Sequence, residues 1–379
     1  MKTNLTYIIS NIDKAVAFEW ITDEINKDKF NLSFILLNNT ADCHLEKYLK
    51  EQKIPVFFVE YYGKKSLFGA FWKVRKLLKT LKTQVVHTHL FDACLIGLFA
   101  AKTLGIKKRI HTRHHSSFHH EYFPKGVYYD KFINYLSTDI IAISSNVRTI
   151  LVDWEKVAPN KITIIHHGFK LEEFEEVKDI SQENRVNTLK TKYNPQKNTP
   201  VVGIISRYTA LKGIQYIIPA FKKLLETYKN AHLILANAKG DYQNEIKKLL
   251  ADIPTENYTE ILFENDIVAL YQLFDVHVHT PINAHAEAFG QTYIEALISK
   301  IPSVFTISGI ANNFIEHEKN ALVVPYEDEN AIYEALIRIL EDKNLRETLI
   351  NNGFESVKKD FGLDIYIEKL EALYTQNNQ

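Results

Sequence analysis

Two glutamates eight positions apart, Glu287 and Glu295, flank a Phe289-Gly290 pair in the segment HTPINAHAEAFGQTYIEALISKIPSVFT, residues 279–306. A strand pattern ends at His279, a loop carries Glu287, and Gly290 opens a helical pattern that contains Glu295. At such a start the backbone N–H groups of Phe289, Gly290 and Gln291 have no partner inside the helix, and the helix dipole adds partial positive charge, so an anion is favoured there. Gly290 removes the side chain that would keep a ligand off the backbone. A phosphate group fits this position, and a carboxylate on each side can accept hydrogen bonds from hydroxyls. The spacing therefore suits a nucleotide-sugar, a diphosphate with hydroxylated rings at both ends.

A second cationic group lies in GIISRYTALKGIQYIIPAF, residues 203–221, where a buried strand pattern ends at Ile205 and Arg207 and Lys212 occupy the loop before the next helix. A diphosphate that leaves gains negative charge as its bond breaks. A guanidinium and an ammonium aimed at its oxygens would stabilise that state more than the ground state. Pro219 falls inside the expected helix and should kink it.

The first half contributes RIHTRHHSSFHHEYFP, with histidines at 111, 114, 115, 119 and 120 after a strand pattern. Pairs such as His115 and His119 have helical spacing for a metal. However, no carboxylate or cysteine nearby in the sequence completes a tetrahedral set, so no metal and no cofactor is expected. Another strand end carries His87 and His89, in VVHTHLFDACLIG.

These residues need a scaffold of strands. Short apolar runs at 5–10, 32–37, 56–59, 85–87, 109–112, 140–143 and 162–165 alternate with helical patterns, and a second series follows at 201–205, 231–235, 261–263, 276–279, 303–306 and 322–324. Strand and helix in alternation predict parallel, doubly wound sheets. The polar stretch from Glu175 to Pro200, with Asn194-Pro195 and Thr199-Pro200, reads as an extended linker. The expectation is an α/β chain of two Rossmann-like domains. Residues 1–190 would form the first domain and 191–361 the second. Ligands of such sheets bind outside the carboxyl ends of the strands, so the two domains would face each other across a central cleft.

Composition narrows the function. Lys plus Arg and Asp plus Glu are 46 each in 379 residues, which gives nucleic acid no overall positive field to bind. The balance conceals opposite halves: residues 1–190 hold 28 bases against 21 acids, and the remainder 18 against 25. Two cysteines, Cys43 and Cys94, make no disulfide framework, and no run of 18 apolar residues occurs. A cytoplasmic protein is expected, or one resting on the inner face of the cytoplasmic membrane. Residues 61–84 have seven Lys and Arg, no acids and interleaved apolar residues. They read either as a basic amphipathic contact with an anionic membrane surface or as a helix whose apolar face packs on the sheet.

The segment Glu287-Ala288-Phe289-Gly290 through Glu295-Ala296 resembles the E-x7-E signature of glycosyltransferase family 4, the retaining enzymes of the two-domain GT-B fold. Gly203–Phe221 resembles the family's donor-phosphate segment, Thr112-Arg113-His114 its T-x-H motif, and Asp139–Val147, with Ser144, its D-x-I-x-x-x-S segment. Residues 164–174 resemble the turn before the linker, with His167 in place of the usual Asn. The C-terminal FGLDIYIEKLEALY resembles the helix that crosses back to the first domain, so the resemblance implies an acceptor-binding domain of residues 1–190 joined by 362–379 and a donor-binding domain of 191–361.

The resemblance implies a catalytic set of Glu287 on the donor sugar, Arg207 and Lys212 on the phosphates, and His114 beside the anomeric carbon, with His115 the alternative. It implies Glu295 on the ribose, with Phe289, Gly290 and Gln291 also at the donor, and His89 and His115 on the acceptor side. No D-x-D motif occurs, and transfer without a metal is expected. The implied reaction moves a sugar from a nucleotide diphosphate, UDP favoured over GDP, to a glycan or lipid-linked acceptor in surface polysaccharide or lipopolysaccharide synthesis. Two other readings share the fold: a sugar-nucleotide 2-epimerase, and a binding protein for nucleotide-sugars or glycans without turnover. Departures include Ser10-Asn11-Ile12-Asp13-Lys14 in place of a glycine-rich loop, Ala236-Asn237-Ala238 at the next donor strand end, and Ser308-Gly309 for a Gly-Gly pair.

Overall fold

The computed structural model describes residues 2–174 and 180–376. Contacts divide the chain into two compact units, Met1–Phe169 with Leu363–Gln379, and Lys170–Gly362. The first unit is a seven-stranded parallel sheet of β1 (Thr3–Ser10), β2 (Phe30–Asn38), β3 (Val56–Glu60), β4 (Val85–His89), β5 (Lys108–Arg113), β6 (Asp139–Ala142) and β7 (Ile162–Ile164). Its order is β3-β2-β1-β4-β5-β6-β7. The second unit holds β8 (Val201–Ile205), β9 (His232–Ala236), β10 (Tyr258–Ile261), β11 (Val276–His279), β12 (Ser303–Phe305) and β13 (Leu322–Val323), ordered β10-β9-β8-β11-β12-β13. Both sheets reverse direction once, between β1 and β4 and between β8 and β11. The crevice that such a reversal leaves at the carboxyl ends is where doubly wound sheets bind ligands. Each expected strand is present, with the run expected at 261–263 lying earlier, at Tyr258–Ile261.

The strands are apolar on both faces because helices cover both faces. In the first unit one layer is built on Leu5, Tyr7, Ile9, Phe34 and Leu36, the other on Ile8, Ile35, Leu37, Val74 and Leu78. In the second, the helix Ile214–Thr227 packs Ile214, Ile217, Ile218, Phe221 and Leu224 into the core. That helix runs through Pro219 as one element.

The expected linker contains a 14-residue helix, Ile180–Tyr193, and residues 175–179 of it lie outside the described residues. Val186, Leu189 and Tyr193 recur at helical spacing inside a polar sequence and are buried. Tyr193 donates to Glu264 at 2.6 Å, and Arg185 pairs with Asp266 at 2.9 Å. These ties hold the helix to the second unit, so the contact boundary falls after Phe169, earlier than residue 190.

The helix Leu363–Thr375 belongs to the first unit. Tyr366, Ile367, Leu370, Leu373 and Tyr374 bury against the sheet layer of Tyr7. The Tyr374 hydroxyl lies 2.5 Å from that of Tyr7 and 2.8 Å from His87 Nδ1, which satisfies buried polar groups on both elements. Leu370→Ala should cost the first unit about 2–5 kcal/mol. All three tryptophans, Trp20, Trp72 and Trp154, lie in that unit, so tryptophan emission during urea unfolding reports on it alone. An unchanged midpoint would contradict this packing.

Candidate functional site

At the carboxyl ends of β8 and β11 the second unit gathers Lys212, His279 and Glu287. Glu287 is buried, and the same carboxylate oxygen, Oε1, accepts from Lys212 Nζ and from His279 Nε2, the latter at 2.9 Å. Burial alone would raise this carboxyl. The Lys212 ammonium and the His279 ring outweigh burial and hold it down to about 2. His279 is itself buried on every side and shifted down by that burial, so a neutral ring donating through Nε2 fits the geometry.

The backbone around the cluster is tightly tied. Gly213 has φ +72°, and a Cβ there would lie 1.8 Å from the Thr280 carbonyl oxygen, so only glycine lets the Lys212 loop lie against the end of β11. Ile282 N donates to Leu211 O at 3.1 Å, Glu287 N to Ser308 Oγ at 3.0 Å, and Ile310 N to Phe289 O at 2.8 Å. The helix Gln291–Ile298 starts at Gly290, whose φ is +88°. Phe289 is buried, with its ring edge-on to Phe361, while Gln291 is exposed at the helix start. Arg207 stands exposed just past the end of β8.

Glu295, one turn into that helix, has a different environment. Its Oε2 accepts from the Tyr271 hydroxyl at 3.1 Å, and burial pushes its carboxyl up to about 7 against the opposing effect of that hydrogen bond.

In the first unit, β4 and β5 end beside one another and set His89 Nδ1 3.0 Å from His114 Nε2. His114 stacks on His167 with centroids 5.6 Å apart and planes 9° from parallel, and His89 stacks on Tyr7. Burial lowers the pKa of each: His89 and His114 well below the ordinary value, and His167 to about 4. These are neutral rings near pH 7. They can accept or donate one hydrogen bond per nitrogen but carry no charge to a phosphate.

His115 turns elsewhere. It lies 3.2 Å from Asp130 Oδ2, which also faces His119 Nδ1 at 2.7 Å and Arg113 Nη2 at 3.1 Å. Arg113 also donates to Glu155 at 2.5 Å, and Asn134 does so at 2.6 Å. A cavity of about 290 Å³ lies against His114, His115, Phe118, His119 and Asp130. His115, His119 and Asp130 are a group whose ligand atoms lie within 4.8 Å of one another. The carboxylate beside these two rings is Asp130, from the helix Gly126–Leu136. Arg113 already shares its Oδ2, and a second cation there would face that guanidinium. Ser144 caps a short helix by accepting from Val147 N at 3.2 Å.

The sequence-predicted residues Lys212 and Glu287 come together, and Glu295 follows one turn into the adjoining helix. His89 and His114 come together, and His115 leaves them for Asp130. Sequence reasoning missed the roles of His279, Tyr271, Ser308 and Asp130. A signal for His279 existed, since it ends a strand whose other residues are buried apolar or structural.

The two carboxyls should respond oppositely to pH. Glu287, depressed from 4.5 to about 2, adds stability that is complete above pH 4.5 and lost as pH falls toward 2. Glu295, raised from 4.5 to about 7, adds a cost that is absent below pH 4.5 and complete above pH 7. Glu295→Gln should therefore melt higher than the parent at pH 8 and together with it at pH 4.5. Equal melting temperatures at pH 8 would show that Glu295 does not carry this cost.

Residues 35–173 match the family model described as Glycosyltransferase Family 4, and residues 186–356 match Glycosyl transferases group 1. The capsular polysaccharide biosynthesis glycosyltransferase CapM of Staphylococcus aureus is 28% identical over 65% of this chain and 63% of its own length, so the chain spans about three fifths of that relative. Alpha-monoglucosyldiacylglycerol synthase of Acholeplasma laidlawii is 26% identical over 93% of this chain and 87% of its own. Among solved structures, Anabaena Alr3699/HepE in complex with UDP and glucose has a TM-score of 0.81 at 17% identity, covering 99% of this chain and 100% of that one. The two parallel-sheet units of the GT-B fold are thus matched by glycosyltransferase family models, Glycosyltransferase Family 4 over the first and Glycosyl transferases group 1 over the second.

Proposed function

We propose that this protein is a retaining glycosyltransferase that moves a sugar from a nucleotide diphosphate, UDP in preference to GDP, onto a glycan or lipid-linked acceptor of the cell surface. The observation that carries this reading is the buried Glu287 carboxylate held between Lys212 and His279, with Glu295 one turn into the adjoining helix. Support comes from relatives named for capsular polysaccharide and glucosyldiacylglycerol synthesis, and from a fold neighbour whose structure holds UDP and glucose.

In this reading Glu287 accepts from donor-sugar hydroxyls, because its pKa keeps it a charged acceptor at any physiological pH. Lys212 and the exposed Arg207 neutralise the leaving diphosphate, and the start of the Gln291–Ile298 helix, with Phe289 and Gly290, adds backbone donors. Glu295 takes the ribose hydroxyls. His114 holds sugar hydroxyls as a neutral ring, and His89 serves the acceptor side. The acceptor oxygen bonds to the anomeric carbon on the face that the diphosphate leaves. The carbon–oxygen bond to phosphate breaks, and the acceptor proton passes to the departing phosphate oxygen. No metal is needed in this scheme, since Arg207 and Lys212 supply the positive charge.

Two measurements test it. UDP should raise the melting temperature more than GDP, ADP or CMP, and Glu295→Ala should abolish the gain. Glu287→Gln should keep the UDP shift and lower turnover roughly hundredfold or more, with the product anomer the same as the donor's by NMR. An inverted product would overturn the retaining reading, and epimerised donor without acceptor would replace transfer by epimerisation.

A further inference from the structure

Asp130 and Glu155 lie together in the first unit, with side chains 1% and 0% exposed. Among the described residues, Arg113 is the one lysine or arginine within ion-pair reach of either. Two buried carboxylates thus share a single guanidinium, and with neutral imidazoles around them the group keeps one uncompensated negative charge. Such a charge is costly away from water, so a further cation is called for. The other charged or titratable side chains that meet these carboxylates are His115 and His119 at Asp130, and His120 at Glu155.

The contacts of Asp130 are unevenly placed. Oδ2 faces Arg113 Nη2 at 3.1 Å, His115 Nε2 at 3.2 Å and His119 Nδ1 at 2.7 Å, and among the described residues no donor reaches Oδ1. A carboxylate oxygen offers about two lone pairs, so one oxygen is crowded while its twin stands open. Asp130, His115 and His119 all line the 290 Å³ cavity. His119 belongs to the helix Phe118–Tyr122, which has five residues and buries none of them. A helix this short has no stability of its own, and its ties from His119 to Asp130 and from His120 to Glu155 have to stand in for packing.

We propose that His115, His119 and Asp130 bind a zinc ion, which supplies the missing charge and pins the helix Phe118–Tyr122 to the helix Gly126–Leu136. Their ligand atoms lie within 4.8 Å of one another. Ligands held about 2.0–2.2 Å from a common zinc stand roughly 3–3.5 Å apart, so small side-chain movements admit the ion. Two imidazoles and a carboxylate suit zinc, whereas magnesium and calcium prefer oxygen alone. Asp130 changes the ground for expecting no metal here, because this carboxylate comes from a separate helix and not from the residues beside the histidines.

Arg113 is compatible with the ion. Its Nη1 and Nη2 both donate to Glu155, at 3.4 and 2.5 Å, so the zinc would face a guanidinium already neutralised on its other side. Oδ1 is free for the metal while Oδ2 keeps its arginine, as ligating carboxylates commonly keep a second hydrogen bond. A protonated imidazole would also supply charge, but it would leave three donors on Oδ2 and none on Oδ1. Three protein ligands leave a fourth position beside the cavity, and since a divalent ion brings one charge more than the group lacks, an anionic oxygen or hydroxide fits there. The site needs neither donor nor transfer, so it does not rest on the glycosyltransferase reading.

The test uses the full chain without an affinity tag, stripped with EDTA and then given zinc, with the surplus removed. Elemental analysis should count about one zinc per chain, and the loaded protein should melt higher than the stripped one. Cobalt(II) in place of zinc should show the intense visible bands of four- or five-fold coordination. His115→Gln and His119→Gln should each bind zinc roughly hundredfold more weakly while melting in EDTA close to the parent, which separates a lost ligand from a lost fold. His317→Gln, at an exposed histidine of the second unit, should bind as the parent does. Equal zinc affinity in the parent and the two ligand variants, or the pale spectrum of hydrated cobalt, would overturn the proposal. So would a stripped protein that melts lower as pH rises through the histidine range and gains nothing from zinc, since a protonated ring would then carry the charge.

Discussion

A buried carboxylate must be paired or it will be protonated, and much of the second unit is arranged around that requirement at Glu287. Its two partners arrive from opposite sides of the sheet's reversal point, Lys212 from the loop after β8 and His279 from the end of β11. For the ammonium to reach, the Lys212 loop must touch the backbone of Thr280, which is why a glycine with positive φ follows it. For the carboxylate to stay in place, its own amide is tied to Ser308 beyond β12. One charge thus fixes the relative positions of three strand ends. In a medium of low dielectric the pair is strong, and a diphosphate arriving at Lys212 would exchange one anion for another instead of stripping a hydrated lysine.

Eight residues further on, the same side-chain type behaves oppositely. Glu295 has a phenol for a partner in place of a cation, and burial wins over that single hydrogen bond. Two glutamates in one segment therefore differ in charge, one ionised at any physiological pH and the other about half protonated near pH 7. The first unit follows a third course: His89, His114 and His167 are kept uncharged by burial and by one another, so their contribution is hydrogen bonding and shape.

Strands were legible because buried parallel strands are nearly continuous apolar runs, and twelve of the thirteen could be placed from β-branched and aromatic clusters, the tenth lying earlier, at Tyr258–Ile261, than its apolar run suggested. The helix Ile180–Tyr193 was not, since only Val186, Leu189 and Tyr193 interrupt its polar sequence and the signals of Pro195 and Pro200 lie beyond its end. The site was legible where the chemistry is local in sequence, as at Glu287 to Glu295. It was opaque where partners come from elsewhere. Nothing near His115 announces Asp130 on the helix Gly126–Leu136, and nothing near Glu295 announces Tyr271, because topology rather than spacing makes those pairs. For residues 61–84 the packing reading holds at Val74 and Leu78, which enter the core, while Phe68 and Trp72 stay exposed.

The helix Leu363–Thr375 sets the order in which this chain can be completed. On a ribosome the first sheet emerges early, yet the layer around Tyr7, Phe34 and His87 lacks its cover until the whole second unit has been made. During that interval the nascent first half presents an apolar strip and unpaired buried-type polar groups, while the second half, continuous in sequence, can already close on itself. The half made first is therefore finished last, with its apolar strip uncovered for longer than any surface of its partner.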